Sequence, residues 1–238
     1  MDLLRQFESV LYTATMWLLF IPKMFFGLIL QPWKIVPHVD AELAKAPEDR
    51  FQGSINPLVY FVLTIVVPAT FAISAMAANY KTSDTGTATL LKAVGALSFD
   101  YRIEMLAIFL LSFPLGLAFV INRKLGIEIT LEGMRRAYYA QCLCGVSFGL
   151  FLSAISILMF VNPKALDADT PPDAGTFPFL ILFFAFAYTE VVVIRAMTQE
   201  KISAAILRLF KGLGVGYLIA LAAEFPILMA MMVGFGKG

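Results

Sequence analysis

Residues 178–197 read PFLILFFAFAYTEVVVIRAM, residues 198–211 read TQEKISAAILRLFK, and residues 212–233 read GLGVGYLIALAAEFPILMAMMV. Two apolar runs of about 20 residues, joined by a short basic segment, have the length of helices that cross a lipid bilayer. Each run carries one carboxylate, Glu190 in the first and Glu224 in the second. A carboxylate in hydrocarbon costs roughly 2.5–3.5 kcal/mol on insertion scales, so each acid needs a partner. This hairpin therefore identifies the solvent as lipid and leaves two acids to explain.

The rest of the composition agrees with the hairpin. The chain of 238 residues is 60% hydrophobic and only 15% charged, with a mean hydropathy of +0.81. Soluble domains are less apolar and far more charged. The net charge of +1 argues against a nucleic-acid-binding surface. No hydrophilic stretch is long enough for a separate soluble catalytic domain, and no cleavable signal peptide is expected. Cys142 and Cys144 lie one residue apart in an apolar run, which suits small buried thiols better than a metal site.

Working outward, five spans are expected at about 57–78, 104–121, 137–161, 178–197 and 212–233. Pro68, Pro114 and Pro226 fall inside them, tolerable where neighbouring helices satisfy the freed carbonyls. Residues 1–31 carry an apolar stripe interrupted by Pro22 and Lys23, with Trp17 and Trp33 as the only tryptophans. They read as two short amphipathic helices at the inner interface, with a sixth span as the alternative. Residues 32–56, with several prolines and the sole His38, read as a surface segment with a solvated histidine. The chain thus divides into 1–56, cytoplasmic or interfacial, and 57–238, membrane-embedded. An acidic loop at 162–177 holds Asp167, Asp169 and Asp173. With the amino terminus in the cytoplasm, only Lys81, Lys92, Arg102, Lys164 and Lys237 of the 18 Lys and Arg fall outside.

Small residues recur at four-residue spacing where helices could approach closely. The rows are Ser112 and Gly116; Gln141, Gly145, Gly149 and Ser153; and Gly212, Gly216, Ala220 and then Glu224. This puts Glu224 on a packing face near the middle of its expected span. It reads either as a proton- or cation-linked site or as a structural acid paired with Gln141 or a hydroxyl. Glu190 reads as nearer the cytoplasmic end, within reach of Arg135 or Arg136 as an ion-pair tether. Lys201, Arg208 and Lys211 lie opposite Ile202, Ala205, Ile206 and Leu209, suggesting a basic amphipathic helix between the spans. Together with Arg135 and Arg136 it could hold anionic headgroups or a cytosolic partner. No nucleotide loop, nucleophile elbow or HExxH-type motif is present, so no enzyme activity, cofactor or metal is expected.

Three further stretches carry a resemblance. Leu30-Gln31-Pro32-Trp33 precedes a charged linker and Asn56-Pro57-Leu58. Leu125-Gly126-Ile127-Glu128-Ile129-Thr130 leads into Arg136-Ala137-Tyr138-Tyr139-Ala140, and Lys201-Ile202-Ser203-Ala204-Ala205 follows the fourth span. This pattern resembles the Yip family of five-span membrane proteins, in its bacterial form, over about residues 30–233. The resemblance implies a cytoplasmic amino terminus and an external carboxyl terminus. The expectation is an all-α polytopic helix bundle in a bacterial inner membrane. It would be a non-enzymatic accessory or scaffold subunit, contacting lipids and other subunits or a second copy. The alternative is a small transporter or permease component with Glu224 in its pathway.

Overall fold

The computed structural model describes Gly27 and residues 30–51, 56–71, 99–145 and 176–235, without the side chains of 99–102, 176–183 and 225–235. All described elements are helical, and no strand occurs among these residues. After a 3₁₀ turn at Pro32–Lys34 come α1 (Ile35–Leu43), α2 (Pro57–Phe71), α3 (Phe99–Leu125), α4 (Leu131–Cys144), α5 (Thr176–Thr198) and α6 (Ile202–Phe235). Among the described residues, two segments are long and apolar enough to cross a membrane. These are Ile103–Leu125 and Ile202–Glu224, with mean hydropathies of 2.2 and 1.6. The amino-terminal amphipathic pair, the acidic loop, Gly149 and Ser153 lie outside the described residues.

Local chemistry sets the helix boundaries. The Asn56 side chain accepts a hydrogen bond from the Leu58 N–H at 2.9 Å, and Pro57 occupies the first helical position, where its missing N–H costs nothing. Within α2 the turn Val62–Val66 is a wide π-turn just before Pro68. A proline cannot bond the carbonyl four residues back and its ring pushes that carbonyl aside, which the wider turn accommodates. Helix α3 stops at Gly126, whose φ of 69° suits a residue without Cβ, and the Ile127 N–H closes on the Asn122 carbonyl at 3.0 Å. Four residues later Thr130 caps α4 by accepting from the Gly133 N–H at 3.1 Å. Asn122 then donates to the Gly133 carbonyl at 2.8 Å and ties the two helices together.

Helices α3 and α6 pack antiparallel through glycine. A Cβ built on Gly116 would sit 2.6 Å from the Gly216 Cα, and one on Gly216 would sit 2.8 Å from the Phe113 Cα. At Gly212 it would meet the Leu117 Cα at 2.9 Å. Backbone touches backbone here, as small residues permit in membrane helices.

Two expectations are corrected by the packing. Residues 35–43 are no solvated surface segment: Ile35, Val36 and Val39 are buried against Ala137, Ala140, Val193 and Ile194. Their spacing forms an apolar stripe on α1, and Pro37 falls in its first turn, where N–H groups have no intrahelical partner anyway. Residues 198–211 are likewise no separate interfacial helix. Gln199, at φ 56°, turns the chain directly into α6, which begins at Ile202 and buries Ala205 and Leu209. The basic residues therefore ride on the first turns of a long packed helix.

Candidate functional site

Glu190 and Phe186 lie four residues apart on α5 and so share one face of that helix. Gln141 and Gly145 do the same on α4, while Phe61 and Ile65 do so on α2. These three faces converge on Phe109, Leu110, Phe113, Pro114 and Leu117 of α3 and Leu213 of α6, enclosing a cavity of about 270 Å³. Gly145 permits the close approach of α4 to α2, since a Cβ there would fall 2.8 Å from side-chain atoms of Phe61 and Ile65. Pro114 has no N–H to occupy the Leu110 carbonyl, so the α3 wall carries an incompletely bonded turn. Ser112 is turned back onto its own helix, donating to the Ile108 carbonyl at 2.7 Å.

Two polar side chains border this apolar space, their polar ends buried behind its wall. Gln141 is 1% exposed and Glu190 is 2% exposed. Neither amide atom of Gln141 has a hydrogen-bond partner, and the Glu190 Oε2 has none either. A buried polar group left unsatisfied costs about 1–3 kcal/mol, more when charged, so such atoms in a cavity call for an explanation. Among the described residues, no Lys, Arg or His lines the cavity. Cys142 and Cys144, on the same helix as Gln141, are buried thiols not joined in a disulfide.

The arrangement reassigns both acids. Glu190 meets neither arginine expected for it. Arg135 pairs with Glu132 at 3.0 Å, and Arg136 holds Asp40 through two bonds of 2.5 and 2.8 Å. Gln141, expected beside Glu224, instead shares the cavity with Glu190. The register of α3 against α6 also changes the depths. Arg208 reaches the Val120 carbonyl at 3.4 Å, Gly212 faces Leu117 and Gly216 faces Phe113. The same register carries Glu224 level with Glu104 and Met105, toward the far end of α3, whereas Glu190 sits at the height of Phe113 and Leu117. Glu224 is half-buried there, beyond Ala220, which is fully buried.

The other charged residues are engaged at the opposite end. Glu200 accepts from Arg208 at 2.6 and 2.8 Å and lies 3.4 Å from the Lys124 ammonium. Hydrogen bonds from Arg208 hold the Glu200 carboxyl below the usual carboxylate range. Of the cations expected to meet lipid or a partner, Arg135, Arg136 and Arg208 thus already have anions, while Lys201 and Lys211 remain exposed. His38 is half-buried, and its Nε2 is buried without a hydrogen-bond partner, so it is not the solvated histidine expected. Neighbouring Glu42 accepts from Lys45 and from the Phe51 N–H, each at 2.6 Å. Burial works against its charge, but these donors outweigh it and keep the carboxyl below its ordinary value.

Sequence spacing alone missed the cavity. The four-residue steps Gln141–Gly145 and Phe186–Glu190 were visible, but which helices they faced was not. Comparison with known proteins finds no matching family model, no similar curated protein and no similar solved structure.

Proposed function

We propose that this chain is a five-span integral membrane protein that binds a small lipophilic solute within the bilayer, as the solute-handling component of a transporter or permease. Its site is the Glu190–Gln141 cavity, in place of Glu224. The carrying observation is a pair of almost fully buried polar side chains with unpartnered atoms at an apolar cavity of about 270 Å³. A chain with only a packing role gains nothing from that arrangement, since apolar residues of like volume would stabilise the core. Positive-inside charge bias supports a cytoplasmic amino terminus, in what we take to be a bacterial inner membrane, with Lys201 at the anionic headgroups.

A scaffold or accessory-subunit reading has one observation in its favour. Helix α6 exposes Phe210, Tyr217, Leu218 and Leu221, an apolar face suited to lipid or to another subunit. Filling the cavity separates the two readings. In the purified full-length chain, neopentylbenzene should raise the melting temperature of the wild type, because a ligand of the native state stabilises it by mass action. Leu213→Trp places an indole in the cavity and should abolish that shift while preserving the fold. Equal shifts in both proteins would leave the scaffold reading standing.

A further inference from the structure

Resting on the reading of this cavity as a solute site, we infer that its solute is a small lipophilic monocation, an alkyl or aryl ammonium. Four phenylalanines, Phe61, Phe109, Phe113 and Phe186, supply walls whose ring faces attract cations. Just behind these walls the Glu190 Oε2 is buried and unpartnered, and among the described residues no basic side chain lines the cavity to act as its counter-ion. Arg136 is committed to Asp40 and Arg208 to Glu200, while Arg195 of α5 is exposed. A carboxyl in such a place gains most from a ligand that brings a positive charge of its own.

The same features exclude other solutes. An anion would face the acid with no cation to balance it. A calcium or magnesium ion needs about six or more oxygen ligands, and the cavity offers one carboxyl and one carboxamide. A sugar or other polyol would leave most of its hydroxyls against phenylalanine and leucine. The volume, just below the ~300–1,000 Å³ usual for drug-sized ligands, suits a single ring or short branched chain bearing the charge. Gln141 can turn its carbonyl toward an N–H of that cation or toward the positive methyl groups of a quaternary ammonium.

The test uses the full chain in mild detergent, with melting temperature as the readout and two isosteric probes. Benzyltrimethylammonium carries the charge, and neopentylbenzene has the same shape without it. The cation should stabilise the wild type at concentrations roughly tenfold below those the neutral probe needs, and Glu190→Gln should erase that advantage while leaving neopentylbenzene binding intact. Phe186→Leu keeps an apolar wall but removes one ring, so it should weaken the cation several-fold and the neutral probe little; it decides the matter if Glu190→Gln does not fold. Equal potency of the two probes in the wild type, or a cation effect indifferent to both substitutions, overturns the ammonium assignment while the solute cavity stands. If neither probe shifts the wild type, the underlying reading falls with it.

Discussion

Asp40 and Arg136 lie 96 residues apart, yet their bidentate pair fastens α1 to the first turns of α4. The hydrogen bonds from Arg136 hold the Asp40 carboxyl below its ordinary value of 3.8. A carboxylate whose folded pKa is depressed adds stability above its unfolded pKa and loses it as pH falls through the lower folded value. Asp40→Asn should therefore lower the melting temperature at neutral pH, and the difference from wild type should shrink once pH drops below about 3.8. The side chains are 45% and 38% exposed, so the loss belongs to the range of ~0.2–1 kcal/mol typical of solvent-screened pairs. A deficit that persists unchanged into acid would mean the pair is not its source. Nothing in the local sequence around either residue announced this contact. The same holds for Glu190, whose side-chain direction follows from how α5 is rotated about its axis, and that is set by its neighbours.

At the scale of the helix, the α3–α6 seam offers a comparison within a single turn. Gly214 and Gly216 are two residues apart on α6, and any effect on helix propensity is nearly the same for both. A Cβ on Gly214 meets nothing within 4 Å, whereas one on Gly216 falls 2.8 Å from the Phe113 Cα and the Ser112 carbonyl. Gly214→Ala should be neutral or stabilising by up to ~1 kcal/mol. Gly216→Ala must separate two backbones and should cost about 1–3 kcal/mol. Reversible unfolding in mixed micelles measures both, and similar values would mean the helices do not touch at this seam. The four-residue spacing of Gly212 and Gly216 was legible in sequence because packing faces repeat at nearly that period. The start of α6 was not. Arg208 and Lys211 read as the basic face of a separate amphipathic helix, since the sequence does not reveal that Glu200 neutralises Arg208 across the turn.

Across the whole molecule, the antiparallel register with α3 sets Lys201 and Glu224 far apart along α6. Lys201 stands at the end where Glu200, Arg208 and Lys124 cluster, and Glu224 stands level with Glu104, with α6 continuing beyond it to Phe235. The distance follows from helix geometry: 23 residues from Ile202 to Glu224 rise about 34 Å, close to the thickness of a bilayer core. Hydropathy was sufficient to see that this length is membrane-sized. It could not show that Glu224 lies toward the end of the packed α3–α6 pair, because depth depends on the register between helices. The two fully buried native thiols, Cys142 and Cys144, should stay unreactive toward a membrane-impermeant maleimide in the folded protein. Lys201→Cys should react only when the reagent is on the cytoplasmic side, as in inverted vesicles. Glu224→Cys should react only from the opposite side, more slowly because its position is half-buried. Labelling of both positions from one side would break the assigned orientation of α6. If Glu224→Cys reacts from neither side, its place is within the hydrocarbon, and the extrapolated register fails before the orientation does.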